Sequence, residues 1–252
     1  MESVRHFLRF VFWVLVILLV LAFFMRDRLP SKERIQPELG RDPIQEKMTL
    51  EPFQVAINEI EYTVSPQYTY DIVGLVVSEH RSDALFDYYH KLWQDSLNVN
   101  DVCVVWGENA LSGIYKNMTF RSGSWTCYVN TKDQKLWRYF SPDKLSNNHL
   151  LTPSSEIQKV LNTVRRGDQI RIKGYLVNYS TRWGSRNTSV TRFDNGCENI
   201  YISEIELLHQ PNFFWKSLFT FSSNLLLFVV ILRILLHFFH IHGSVKKEHI
   251  VV

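Results

Sequence analysis

Residues 10–25 form an unbroken apolar run, and a second, mostly apolar run fills 218–236 near the opposite end of the chain. Phe7 and Leu8 extend the first run past Arg9. At 1.5 Å per residue, 7–25 covers about 28 Å, the thickness of a bilayer's hydrocarbon. Arg9 lies one turn inside, where its head can snorkel to the headgroups. A cleaved signal peptide is the rival reading, but the exit Ala22-Phe23-Phe24-Met25-Arg26 places bulky residues where a small-x-small cleavage site is wanted.

The second run is interrupted by Asn224 and Arg233, with Phe213, Phe214 and Trp215 at its entrance as an interfacial belt. Polar residues inside a span usually face protein, so these two suit helix association. The expected organisation is a transmembrane helix over 7–25, a juxtamembrane linker over 26–48, a soluble α+β domain over 49–209, a second transmembrane helix over 214–240 and a tail over 241–252.

Two spans put both termini on one side and the domain on the other. Lys and Arg near the spans do not choose the side. Arg5, Arg9, Arg233, Lys246 and Lys247 flank the tails, while Arg26, Arg28, Lys32, Arg34, Arg41 and Lys216 flank the loop. Within 26–209 there are 22 basic and 23 acidic residues. Nucleic-acid binders carry a basic surplus, so that class is disfavoured.

Cys103 and Cys127 sit in strand-like stretches and can pair across a sheet, leaving Cys197; three buried thiols are the alternative. The disulfide reading leans the domain to the extracytoplasmic side. Sequons at Asn117, Asn178 and Asn187 matter only in a eukaryotic secretory pathway.

Inside the domain, strand patterns run through 53–62, 68–78, 102–129, 169–177 and 200–208. A helix is expected after Ser82, with Leu85, Tyr89, Leu92, Trp93 and Ser96 on one face. A second is expected after Thr152 as N-cap, with Pro153 at its first position and Gly167 as its stop. YDIVGLVVS and GDQIRIKGYLV each carry a central glycine, as do the curved strands of OB-type barrels, which they resemble.

The words CVVWGEN, SGSWTCY, LSNNHLL and GDQIRIKGYLVNY together resemble a family of predicted bacterial inner-membrane proteins. The resemblance implies an envelope protein of a bacterium. It implies no activity.

Candidate ligand-binding residues fall in two groups. Asn147, Asn148 and His149 precede the capped helix, where amides and an imidazole can hold a polar or anionic ligand; a local turn is the plainer reading. Arg182, Arg186 and Arg192 lie in the polar stretch 179–197 with Trp183, suited to an anion, a glycan or a partner, or to a solvated hairpin turning at Asp194-Asn195-Gly196. Cys103, Cys127, Cys197 and His149 lack the close Cys-x₂₋₄-Cys pairs of structural zinc sites, so no metal or other cofactor is expected. His237, His240, His242 and His249 read as residues of the membrane edge.

No G-x-S-x-G, H-E-x-x-H, P-loop or dinucleotide signature is present. The leading expectation is a membrane-anchored binding or assembly module acting through protein contacts, as a homo-oligomer or with another protein. A ligand sensor signalling through its spans is the second. An enzyme of unrecognised type is the third, and it requires His149 to meet a nucleophile or a carboxylate within hydrogen-bond reach.

Overall fold

The computed structural model describes residues 2–82, 92–93, 95–123, 125–191 and 197–248, with the backbone alone at 2 and 239–248. The chain divides into two compact units, Met1–Arg28 with Asn212–Val252, and Leu29–Pro211.

The first unit is a pair of helices, α1 (Glu2–Met25) and α4 (Phe213–Glu248). Both are long and apolar enough to cross a membrane, over Ser3–Met25 and Phe213–Phe238. Their buried positions recur every seventh residue, Leu8, Leu15 and Ala22 on one and Ser222 and Val229 on the other, which is the seam of supercoiled helices. The remaining faces leave Phe7, Phe10, Trp13, Ile17, Phe24, Phe221, Leu227 and Phe228 exposed. An apolar face of that extent suits lipid rather than water. Asn224 is exposed.

The second unit is mixed α+β. Strands β1 (Ile44–Lys47), β2 (Phe53–Ile57), β3 (Ile60–Arg81), β4 (Asn98–Val105), β7 (Leu145–Leu151), β8 (Gln169–Thr181), β9 (Gly184–Arg186) and β10 (Glu198–His209) make one sheet. Within it β3, β4, β7, β10 and β8 close into a ring, because β8 also pairs with β3. Every pairing in the ring is antiparallel except β7 with β10. A hairpin of β5 (Thr119–Gly123) and β6 (Thr126–Asn130) stands apart as its own sheet. Helix α2 (Gly107–Leu111) follows β4, and α3 (Ser155–Leu161) follows β7.

Alternation along the strands divides the core. Val102 and Val104 of β4 pack with Ile72, Leu150, Ile170, Ile172 and Ile202, and with Leu161 and Val164 at the end of α3. Cys103 and Val105, on the other face, pack with Val73, Leu75, Val77, Tyr115 and Phe120. A bond between Cys103 and Cys127 ties the β5–β6 hairpin to β4. Closing a loop of this size stabilises by about 3 kcal/mol.

Several expectations change. The stretch 53–62 is a hairpin rather than one strand, since Asn58 and Glu59 take left-handed φ of 51° and 64° and turn the chain. The N-cap of α3 is Ser154, whose Oγ accepts from Ile157 N at 3.3 Å, while the Thr152 hydroxyl accepts from Ser154 N at 3.1 Å and shapes the turn before it. The helix ends at Leu161 with Asn162 as its C-cap, short of the expected stop at Gly167, which takes φ 92° in the turn that leads to β8. The stretch 102–129 is not continuous strand, since a short helix begins at Gly107 within it. Of the helix expected after Ser82, only Leu92 and Trp93 lie within the described residues.

Residues 29–43 belong to the folded unit. Ile35 and Leu39 are buried, the Tyr115 hydroxyl donates to Pro30 O at 2.9 Å, and the buried Gln169 amide clamps Gln36 N and Arg34 O at 2.7 Å each.

Candidate functional site

Asp101, His149 and Asn199 stand opposite one another on β4, β7 and β10. Cys103 and Asn147 form the next row, and Cys197 comes one residue before β10 begins. Since side chains alternate along a strand, Asp101 and Cys103 share the face that the β5–β6 hairpin covers. The sheet thus assembles an acid, an imidazole, an amide and a thiol from segments remote in sequence.

The carboxylate of Asp101 is fully buried and saturated with donors. His149 Nδ1 lies 2.6 Å from its Oδ1, Asn98 Nδ2 donates to the same oxygen at 2.8 Å, and Trp125 N donates to Oδ2 at 2.7 Å. Behind Asn98, Asp95 Oδ1 accepts from Asn98 N at 3.3 Å and Oδ2 accepts from the Tyr179 hydroxyl at 2.6 Å. Burial and Asp95 together hold the Tyr179 hydroxyl protonated, well above its ordinary range.

Cys197 lies near enough to the imidazole to help raise its proton affinity. The Cys197 sulfur is half-buried, receives Asn147 Nδ2 at 3.5 Å, and donates to Trp125 O at 3.5 Å. Asn147 Oδ1 is buried with no hydrogen-bond partner among the described residues.

Trp125 is the keystone of the cover. It sits at the hairpin tip with φ 61°, so its backbone meets both ends of the Asp101–His149–Cys197 chain. Its indole packs edge-on against Trp93 at 5.9 Å, and Arg186 of β9 lies over it at 3.4 Å. A guanidinium on an aromatic face is held by the ring quadrupole.

Burial lowers the proton affinity of His149, but the charge and hydrogen bond of Asp101, with those of Cys197, outweigh it and push the pKa up to about 9. A pKa raised on folding stabilises the native state below the unfolded value near 6.5, and that stability is lost as pH rises through 9. Unfolding free energy is therefore expected to fall by on the order of 3 kcal/mol between pH 6.5 and 9.5. Urea titrations across that range should show the slope, and His149→Gln should flatten it.

The sequence-expected residues separate. Ser146–His149 lie within β7 rather than in a turn, because β4 and β10 supply ladder partners on both sides. Asn148 is structural, donating to Val102 O at 3.2 Å and to Ser146 Oγ at 2.9 Å. Asn147 and His149 join the thiol. Arg186 reaches the cover of this site, whereas Arg182 stacks on Trp183 at 4.0 Å and lines a separate polar cleft of about 580 Å³ with Gln54, Thr63 and Ser180. Arg192 and the Asp194–Gly196 turn lie outside the described residues. The bond between Cys103 and Cys127 takes two sulfurs from the four-ligand zinc set considered above.

Sequence reading missed Asp101 and left Cys197 without a role. The signal for the first was present: an aspartate directly before V-C-V-V, within a strand, needs a buried partner. Comparison with protein-family models, curated proteins and solved structures returns no match.

Proposed function

We propose that this chain is a membrane-anchored enzyme that transfers or hydrolyses acyl groups through the thiol of Cys197. The observation carrying the reading is the buried Asp101–His149 pair, with the half-buried sulfur of Cys197 held beside it by Asn147 and Trp125. A nucleophile beside a base, with the base oriented by a third group, is the arrangement that covalent catalysis requires.

In this mechanism Asp101 engages Nδ1 and raises the proton affinity of His149, so that the imidazolium holds at Nε2 the proton taken from the thiol. The sulfur adds to the carbonyl carbon, and Asn147 Nδ2, beside the sulfur, donates to the oxyanion. The bond to the leaving group breaks, and that group departs with the proton from His149. Water, deprotonated by the same imidazole, then cleaves the thioester, releasing the acid and restoring the thiol.

Two finer readings accompany it. The ring runs first-second-third-fifth-fourth-first with its third and fifth strands parallel and a helix after the third, which supports an OB-like small barrel. The Cys103–Cys127 bond supports an oxidising compartment, and with the family resemblance it favours the outer face of a bacterial inner membrane. A binding or assembly role for the domain draws its support from the separate cleft that holds Arg182 and Trp183.

The test uses the full chain and p-nitrophenyl acetate. A burst of one nitrophenolate per chain is expected, with the acetyl group mapping to Cys197, absent in Cys197→Ser and slowed at least tenfold in His149→Gln. A burst that survives Cys197→Ser, or acetylation spread over lysines, would refute the assignment.

A further inference from the structure

The two helices of the first unit start from a common end. Asn212 Nδ2 donates to Arg28 O at 2.6 Å, and Arg26 lies over Phe219 at 3.9 Å. From there α1 runs about 25 Å back to Arg9, and α4 runs about 30 Å out to Arg233, at 1.5 Å per residue. Both arginines therefore reach the level of the opposite membrane surface.

There the helices enclose a cleft of about 660 Å³. Arg5, Arg9 and Phe12 face it from α1 at helical spacing, and Val230, Arg233, Ile234, His237 and Phe238 face it from α4. Arg233 lies 5.2 Å from the centre of the Phe12 ring, which braces it at the cleft wall. Three guanidiniums and an imidazole thus line one cleft together with apolar side chains.

Acidic residues are confined to the outer ends of the helices, at Glu2 and Glu248. No Asp or Glu occurs in 3–26 or 213–247. Cations at the edge of hydrocarbon are costly unless paired. Guanidinium forks match phosphate oxygens in geometry as well as charge. An apolar cleft with cationic groups at its mouth complements one kind of molecule, an acyl chain bearing an anionic phosphate.

We infer that this cleft is a binding site for an anionic glycerophospholipid, its phosphodiester held by Arg5, Arg9 and Arg233 and its acyl chain lying along Leu8, Phe12 and Val230. The site belongs to the membrane unit and stands independently of the thiol chemistry proposed above.

The experiment titrates the full chain in neutral detergent with phosphatidylglycerol, with phosphatidylcholine, and with phosphatidylglycerol in the presence of inorganic phosphate, counting bound lipid by native mass spectrometry. Phosphatidylglycerol is expected to be retained at least tenfold more tightly than phosphatidylcholine and to resist millimolar phosphate. The combined variant Arg5→Gln, Arg9→Gln, Arg233→Gln is expected to lose at least tenfold of that preference while the thermal midpoint of the soluble unit stays put. If the triple variant cannot be purified, Arg233→Lys keeps the charge without the fork and is expected to lose several-fold. Equal retention of the two lipids, or a charge variant that binds phosphatidylglycerol as tightly as the parent, would overturn the site. Displacement by inorganic phosphate would overturn the lipid assignment in favour of a free anion.

Discussion

Asp101→Asn is expected to slow alkylation of Cys197 by iodoacetamide at pH 7 at least thirtyfold, more than any other change of a single oxygen to nitrogen in the domain. The carboxylate now hydrogen-bonds Asn98, His149 and Trp125 among the described residues. Asparagine offers one acceptor oxygen and an NH₂, so at least one donor meets another donor. An amide that donates to Nδ1 moves the ring proton to Nε2, the nitrogen needed to take the thiol proton, and this tautomer error costs orders of magnitude in triads of the kind. The mismatch should also lower stability by about 1–3 kcal/mol, so the thermal midpoint is measured beside the rate. A variant that stays folded and alkylates within twofold of the parent would remove Asp101 from the mechanism.

Gly174→Ala should unfold the domain or come close to it. Gly174 sits where β8 pairs with Tyr70 of β3 and Ile202 of β10. A Cβ built there lies 2.1 Å from Tyr201 O and 3.0 Å from Tyr201 C. Both are backbone atoms, and neither can rotate aside. Relief requires prising β10 from β8, which opens the ring and carries away Cys197 at the head of β10. The expected loss exceeds about 3 kcal/mol, a large share of the 5–15 kcal/mol typical of a domain. Gly123→Ala is the control, since its nearest neighbour would be a Tyr128 ring atom at 3.9 Å, and its urea midpoint should barely move.

The parts of this molecule that were legible in the sequence are those governed by short-range pattern. Hydropathy located both long helices, and alternation of Ile170 and Ile172 with Arg171 and Lys173 located β8. The site was not legible in that way. Ser146-Asn147-Asn148-His149 has the composition of a turn, and it becomes a strand only because β4 and β10, about 50 residues away on either side, bond to it. Asp101 and His149 are 48 residues apart, and no periodicity within either segment announces that they will meet. Arg182 and Arg186 look like one basic cluster in the sequence, yet the tight return from β8 into β9 sends them to different neighbours.

The length of β3 bears on how the chain is made. This one strand of 22 residues bonds to β1, β2, β4 and β8, but β8 begins only about 90 residues after β3 ends. At synthesis rates of about 5–20 residues per second, the segment awaiting β8 stays unpaired for roughly 5–20 s. It includes Ile72–Val77, an uncharged run of high β propensity that resembles the segments that stack into cross-β aggregates. Asp71 and Pro66 interrupt the strand just upstream and act as gatekeepers. Biogenesis of this protein is therefore expected to rely on a holding factor that binds the nascent strand until residues 169–181 emerge, and to fail by aggregation when that factor is scarce.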